Sequence, residues 1–160
     1  MPILTRLLCV EDNDHKWERI LRVLETHLDA KVEIVRAVDQ LTGDQHIDDG
    51  GWDLVLLDMS LDIRRTQNRS GQGGHDFTGG LKIAGRMYYL KKEVSTIIIT
   101  GFDAFPSGQS GQNKEVILGI EDIEGQARKY LGNHLIAILR YGPKGWENAL
   151  AAHLKEFLKA

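Results

Sequence analysis

Short apolar runs that recur along the chain, each ended by a polar residue, constrain the fold more than any other feature of the sequence. Four of them, at 6–10, 54–57, 96–99 and 135–139, are rich in Val, Ile and Leu and have the length of buried strands. A fifth run, 31–38, alternates apolar with polar residues, which is typical of an edge strand with one solvated face. The sequence therefore predicts five strands.

Segments with helical periodicity separate these runs. An apolar stripe follows Asp14, which is positioned to cap a first helix, and similar stripes at 81–90 and 146–158 predict two further helices. Strands that alternate with helices indicate an α/β fold, in which a doubly wound parallel sheet carries helices on both faces. Ligands of such folds bind at the carboxyl ends of the strands.

Two Gly-rich stretches interrupt this alternation, at about 62–80 and about 103–114. Both follow predicted strands, so we expect two long loops over the same end of the sheet, as lids, docking surfaces or plain insertions. A length of 160 residues with 42% hydrophobic residues suits a single domain over 1–160, with no further output domain.

Composition argues against several functional classes. The formal net charge is -3 and both signs are interspersed, so no electropositive face for direct nucleic-acid binding is expected. No apolar stretch approaches the roughly 20 residues that cross a bilayer, and the first residues lack a signal-peptide core. The single Cys9 cannot form an internal disulfide. These features predict a cytoplasmic protein without a membrane contact.

Carboxylates directly follow two of the predicted strands. Glu11 and Asp12 come after the first run, and Asp58 comes after 54–57. If the two strands are neighbours, the three carboxylates meet, and their mutual repulsion requires a cation. Hard oxygen ligands suit Mg²⁺ or Mn²⁺, and the backbone carbonyl of Met59 is a further candidate ligand.

Two other polar side chains are predicted at the same end of the sheet. Thr100 follows the run 96–99, and Arg140 follows the run 135–139. A metal ion, a guanidinium group and a hydroxyl group together would bind three oxygens of a phosphoryl group on Asp58. The sequence therefore predicts transfer of phosphate to a carboxylate.

The segments that carry this pattern resemble the receiver domains of two-component response regulators. The matching segments are 8–13 (LCVEDN), 53–59 (DLVLLDM), 97–101 (IIITG) and 138–141 (ILRY). The resemblance implies a flavodoxin-like sheet of five parallel strands in the order 2-1-3-4-5. It also implies that Glu11 and Asp12 hold Mg²⁺, that Asp58 accepts a phosphoryl group from a histidine kinase or phosphotransfer protein, and that Thr100 senses it.

The end of the last strand departs from this family. Receivers usually carry Lys there, commonly followed by Pro, whereas this chain has Arg140, with Lys144 four residues later. Register favours Arg140 as the basic residue, and Lys144 is the alternative. Arginine keeps the charge, but its planar guanidinium differs in shape and reach.

Three functions follow from these observations. The leading hypothesis is a receiver switch that catalyses its own phosphoryl transfer to Asp58, loses the group slowly, and signals through contact with an unidentified downstream protein. The second is a pseudo-receiver, an interaction module that works without phosphorylation. The third and least favoured is a Mg²⁺-dependent phosphohydrolase with Asp58 as nucleophile, since Ser60 occupies the position where haloacid-dehalogenase enzymes carry a second Asp.

Overall fold

The computed structural model describes residues 3–63, 74–101, 104–110, 114–142 and 144–159. Its strands are β1 (Arg6–Val10), β2 (Glu33–Ala37), β3 (Leu54–Leu57), β4 (Leu61–Asp62), β5 (His75–Asp76), β6 (Ser95–Thr100), β7 (Ala104–Ser110), β8 (Lys114–Gly119) and β9 (Leu135–Arg140). Its α-helices are α1 (Asp14–His27), α2 (Gln40–Asp49), α3 (Gly79–Tyr89), α4 (Ile120–Leu131) and α5 (Trp146–Lys159).

Five strands form one parallel sheet in the order β2-β1-β3-β6-β9. These are the five strands predicted from the sequence, and their order is the predicted 2-1-3-4-5. The flavodoxin-like α/β prediction is therefore confirmed. A parallel sheet of this kind places the ends of β1, β3, β6 and β9 along one edge, where the predicted site residues lie.

Alternate residues of the central strands serve two hydrophobic layers, one on each face of the sheet. One layer contains Leu8, Val55 and Ile98 and packs against buried residues of α2, α3 and α4. The other contains Leu7, Leu56, Ile97, and buried residues of α1 and α5. Because both faces are covered, the strands read as continuous apolar runs rather than as alternating ones.

The first predicted helix begins at Asp14 as expected, but Asp14 does not cap it. The N-cap is Asn13, whose side-chain oxygen accepts a hydrogen bond from the Lys16 backbone N–H at 2.9 Å. Asp14 lies in the first turn and pairs with Arg36 at 2.8 Å. Asn is as good a cap as Asp, and the carboxylate one residue later still complements the positive end of the helix dipole.

The first Gly-rich stretch is partly ordered into a short antiparallel pair. Leu61 pairs with Asp76 and Asp62 pairs with His75, and α3 already begins at Gly79. The predicted loop over about 62–80 is therefore shorter at its carboxyl end, because α3 starts within it. The part of this prediction that falls on 64–73 lies outside the described residues.

The second Gly-rich stretch is a strand where the sequence predicted a loop. β7 and β8 pair with each other as an antiparallel hairpin, and residues 111–113 between them lie outside the described residues. The expectation of a loop over about 103–114 is therefore wrong for residues 104–110. The physical reason is the partner strand, since the segment 116–118 supplies Val, Ile and Leu, which favour an extended backbone. Within the described ranges, no helix has the length and apolar character needed to span a membrane.

Candidate functional site

The register of the sheet brings the predicted carboxylates together. Val10 is paired with Leu57, so Glu11 and Asp58 follow side by side at the ends of β1 and β3. The Asp58 backbone N–H donates to the Val10 carbonyl at 3.1 Å, which continues the ladder into the site. Carboxylate oxygens of Glu11, Asp12 and Asp58 all lie within 4.8 Å of one another. The structure therefore assembles the acidic cluster that the sequence predicted.

These carboxylates line a cavity of about 500 Å³ at the carboxyl edge of the sheet. Glu11 is 1% exposed and Asp58 is 7% exposed, whereas Asp12 is half-buried. The lining residues are Glu11, Asp12, Asn13, His15, Lys16, Asp58, Ser60, Asp62, Gly101 and Tyr141. Two of the three acidic groups have thus been withdrawn from water, which normally requires a compensating positive charge.

Backbone amides hold two of the carboxylates in place. The Asn13 N–H donates to Glu11 Oε1 at 3.0 Å, and the Asp62 N–H donates to Asp12 Oδ2 at 2.9 Å. Each of these bonds fixes one oxygen and leaves the other oxygen of the group to face a neighbour or a ligand. The cluster is therefore oriented by the main chain and not only by the crowding of its side chains.

A lysine that does not end a strand, and that the strand-end pattern therefore does not predict, occupies the centre of the site. Lys16 Nζ lies 2.7 Å from Glu11 Oε2 and 3.2 Å from Asp58 Oδ1, and its side chain is 6% exposed. The same ammonium group donates to the Ile99 carbonyl at 2.7 Å. The contact with Asp58 is an ion pair rather than a well-aligned hydrogen bond. Lys16 is thus an internal cation within the acidic cluster.

Burial and charge shift the pKa values of all three groups. Burial, helped by the negative charge of Asp58, raises the pKa of Glu11 to about 8. Burial also raises the pKa of Asp58 above its usual range, although the charge of Lys16 opposes this. Burial acts to lower the pKa of Lys16, but the charges of Asp58 and Glu11 together outweigh it and the pKa is raised. The ammonium form of Lys16 therefore persists, while the carboxylates need more positive charge than it supplies.

The backbone carbonyl of Met59, the further metal ligand predicted from the sequence, has a hydrogen-bond partner in the protein. Its oxygen accepts a hydrogen bond from the Gly80 N–H at 2.9 Å, and Met59 is not among the residues that line the cavity. The lining residue at this turn is Ser60, which is 2% exposed. The Met59 carbonyl, which directly follows Asp58, thus anchors the first turn of α3.

Glycine at position 80 allows this close approach of α3. A Cβ atom at Gly80 would lie 2.1 Å from the Asp58 carbonyl oxygen and 2.8 Å from Met59 Cα. Both are backbone atoms, so neither can move aside without displacing the end of β3. Gly80 is therefore part of the framework that positions Asp58.

Thr100 ends β6 as predicted and is fully buried. Its Oγ1 atom has no hydrogen-bond partner among the residues that the structure describes. An unpaired buried hydroxyl group costs about 1–3 kcal/mol, so a hydrogen bond to this group would stabilise the protein.

The two basic residues predicted for the end of the last strand are not among the described residues that line the acidic cavity. Arg140 is paired in register with Thr100, but it is exposed and does not line the acidic cavity. Lys144 is also exposed and lines a different, smaller cavity near Arg19 and Glu147. Within the described parts of the chain, no ion pair joins either residue to the carboxylates, whereas Lys16 lies against two of them.

Comparison with solved structures identifies the architecture. A receiver domain of Methanospirillum hungatei superposes with a TM-score of 0.60 at 17% identity, covering 98% of this chain and 98% of that one. A response regulator of Colwellia psychrerythraea gives 0.63 at 14% identity, covering 99% and 100%. The chain has the receiver-domain fold.

A third structure with this fold contains ligands. It is the response regulator TrrA of Thermotoga maritima in complex with Mg²⁺ and BeF, which superposes with a TM-score of 0.58 at 17% identity over 96% of this chain and 98% of that one. No protein-family model matches the sequence. A search of curated proteins also finds no match.

The donor set of this receiver fold fits a divalent cation. Three carboxylates within 4.8 Å supply the hard oxygen ligands that Mg²⁺ prefers, and the cavity has room for the water ligands that Mg²⁺ usually keeps. Burial and the neighbouring negative charge of Asp58 raise the pKa of Glu11, and added positive charge would oppose this shift. A cation held by Glu11, Asp12 and Asp58 would supply that charge.

Proposed function

We propose that the protein is a receiver switch that accepts a phosphoryl group on Asp58 in a Mg²⁺-dependent reaction. The observation that carries this proposal is the convergence of three carboxylates in one cavity. The buried hydroxyl group of Thr100, which has no partner within the described residues, lies at the end of β6 on the same edge of the sheet. The receiver fold supports it, since the strand ends that form the cavity are the ligand-binding edge of such sheets.

In the proposed reaction, an oxygen of Asp58 forms a new bond to phosphorus. The bond between phosphorus and the donor breaks, and its electron pair leaves with the donor. Bound Mg²⁺ would neutralise the charge that develops on the phosphoryl oxygens. The protein contributes a carboxylate beside a neighbouring ammonium group, backbone amides that orient the cluster, and the Thr100 hydroxyl as a donor to the attached group.

The partners follow from the same proposal. The donor would be a phosphohistidine of a kinase or of a phosphotransfer protein, in the cytoplasm, and the output would be contact with a downstream protein rather than with nucleic acid. A new hydrogen bond from Thr100 to the phosphoryl group would draw the end of β6 inward, and the downstream protein would bind the surface changed in this way. The complex of TrrA with Mg²⁺ and BeF shows that a protein of this fold binds both ligands.

A pseudo-receiver is the second candidate, and one specific observation favours it. Lys16 already provides a positive charge between Glu11 and Asp58, so part of the repulsion within the cluster is relieved without metal. A site balanced in this way could hold its shape as a constant interaction surface. The two functions differ in whether Asp58 changes covalently.

Intact mass measurement after incubation with acetyl phosphate distinguishes them. With Mg²⁺, the wild-type protein is expected to gain the mass of one phosphoryl group, and excess EDTA is expected to abolish the gain. Asp58→Asn should not gain mass. Asp62→Asn is the matched control, because Asp62 lines the same cavity outside the three-carboxylate cluster, and it should still be modified. No gain in the wild type, or a gain that persists in Asp58→Asn, would refute the proposal.

A further inference from the structure

Lys16 joins three elements of the fold through one buried ammonium group. It is in the first turn of α1, and its Nζ contacts the end of β1 through Glu11 and the end of β3 through Asp58. Its hydrogen bond to the Ile99 carbonyl reaches the end of β6, one residue before Thr100. The side chain thus connects the candidate acceptor to the segment that would respond to it.

The environment of this ammonium group differs from that of a surface ion pair. Lys16 is 5% exposed, and the ring of Tyr141 lies over its Nζ at 5.4 Å. Removing a charge from water is costly, so a buried lysine is retained where its charge is needed. Arg140 and Lys144, the basic residues at the end of the last strand, are exposed. Of these three, only Lys16 lines the acidic cavity.

The number of donors on the ammonium group matches its surroundings. A lysine ammonium has three N–H donors. One faces Glu11 Oε2 at 2.7 Å and one binds the Ile99 carbonyl at 2.7 Å. The third is left for the side of Asp58, whose Oδ1 lies 3.2 Å away without a well-aligned hydrogen bond. An oxygen added on that side would complete the set.

We propose that Lys16, rather than Arg140 or Lys144, is the basic residue of this site. In the metal-free state its ammonium group lies against the carboxyl groups of Glu11 and Asp58, and when Asp58 carries a phosphoryl group it donates to a phosphoryl oxygen. This inference rests on the proposed phosphorylation of Asp58. It implies that the added charge of a phosphoryl group on Asp58 acts on α1 and the end of β6 instead of on the end of β9.

The proposal predicts two effects of opposite sign when the charge is removed. Lys16 and Mg²⁺ compete for the same carboxylates, so Lys16→Met should bind Mg²⁺ alone more tightly, by at least about fivefold, because one positive charge no longer repels the ion. The same variant should bind the phosphoryl mimic beryllium fluoride, at saturating Mg²⁺, at least about tenfold more weakly, because a charged hydrogen bond is lost. Damage to the fold would weaken both.

Titration calorimetry of Mg²⁺ alone, and then of beryllium fluoride at saturating Mg²⁺, measures the two affinities. Arg140→Met and Lys144→Met are the matched controls and should keep both affinities within about twofold, since neither side chain lines the cavity. Lys16→Arg, which restores the charge, should return Mg²⁺ affinity toward the wild-type value. If Lys16→Met does not fold, Lys16→Gln takes its place in the same comparison.

The outcomes separate this inference from the proposed function. Tighter Mg²⁺ binding with weaker mimic binding in the Lys16 variant supports the inference. The inference is overturned if that variant keeps its affinity for beryllium fluoride, or if it binds both Mg²⁺ and beryllium fluoride more weakly. It is also overturned if Arg140→Met loses more affinity for beryllium fluoride than the Lys16 variant does. If the wild type binds no mimic and is not phosphorylated, the proposed function fails, and the Mg²⁺ titration still decides whether Lys16 is the internal cation of the cluster.

Discussion

Replacement of Glu11 by Gln tests whether the metal-free acidic cavity destabilises the folded protein. Burial and the nearby charge of Asp58 raise the pKa of Glu11 to about 8, from 4.5 in the unfolded chain. Between these two values the folded state keeps the proton and the unfolded state has lost it. Raising the pH then favours the unfolded state, so metal-free stability is expected to fall across this window.

The magnitude follows from the two pKa values. Proton linkage for one group with these values lowers the free energy of unfolding by at most about 3.5 kcal/mol between about pH 5 and pH 8. Glutamine cannot ionise, so Glu11→Gln removes this contribution and should show a flatter stability profile over the same range. Glu25→Gln is the control, because Glu25 lies on the exposed face of α1, away from the cavity.

Urea denaturation at several pH values in the presence of EDTA measures this effect. The wild type and Glu25→Gln should lose stability in parallel as the pH rises, and Glu11→Gln should lose less. Saturating Mg²⁺ should flatten the wild-type profile, because it binds and stabilises the ionised carboxylates. The reasoning is refuted if the free energy of unfolding of the metal-free wild type stays constant or rises from pH 5 to 8. It is also refuted if this free energy falls with pH equally steeply in the wild type and in Glu11→Gln.

Three further variants test the framework, the metal ligands and the switch. Gly80→Ala should lose about 1–3 kcal/mol of stability in urea denaturation, because its Cβ would lie 2.1 Å from a backbone oxygen. Gly85→Ala is the control: the nearest atom to its Cβ would lie at 3.5 Å, so its stability should be unchanged or higher. Asp12→Asn should bind Mg²⁺ at least about tenfold more weakly by calorimetry, because one carboxylate ligand is lost. Without metal it should melt at a higher temperature, because the repulsion between the carboxylates is relieved, and a lower metal-free melting temperature would contradict this. Thr100→Val should keep its stability within about 1 kcal/mol and lose the hydrogen-exchange change that beryllium fluoride induces at the end of β6. Thr96→Val is the control, because it removes a buried hydroxyl group that donates to the Val94 carbonyl at 2.9 Å. It should lose about 1 kcal/mol of stability and keep the hydrogen-exchange change. Equal behaviour of the two variants would contradict the role proposed for Thr100.

The sheet and the acidic cluster could be predicted from the sequence because strand period and strand ends are local signals. Each buried strand is a continuous apolar run, and a carboxylate or hydroxyl group directly follows it, so Glu11, Asp58 and Thr100 could be placed without knowledge of the tertiary contacts. Parallel pairing then brought these residues to one edge. The fold class and the position of the cavity follow from that reasoning.

Two helices were not predicted, for different reasons. α2 buries only Gly43 and Ile47, so it lacks the apolar stripe on which helix prediction depends, and its signal is the capping box formed by Asp39 and Thr42. α4 has buried residues at Ile123, Ala127 and Leu131 with helical spacing, but this segment follows a Gly-rich stretch that was interpreted as a loop. A periodicity count would have found the second helix and not the first.

Lys16 lies outside the pattern of polar residues that directly follow strands, which is the pattern that predicts the site. The signal was present in α1, where Lys16 lies four residues before Ile20 and eight before Leu24, on the face that packs against the sheet. A charged residue on the buried face of the first helical turn points back toward the preceding strand end. The prediction of Arg140 relied on register alone, which fixes where a strand ends but not where a long side chain reaches.

Amide NMR spectra during stepwise addition of Mg²⁺ and then beryllium fluoride test most directly that one cavity serves both ligands. The account predicts that Mg²⁺ shifts resonances at the ends of β1 and β3, around Glu11, Asp12 and Asp58. Beryllium fluoride should then shift Thr100 and the first turn of α1. Spectra that do not respond, or shifts confined to the opposite edge of the sheet near Trp52 and Asp53, would contradict it.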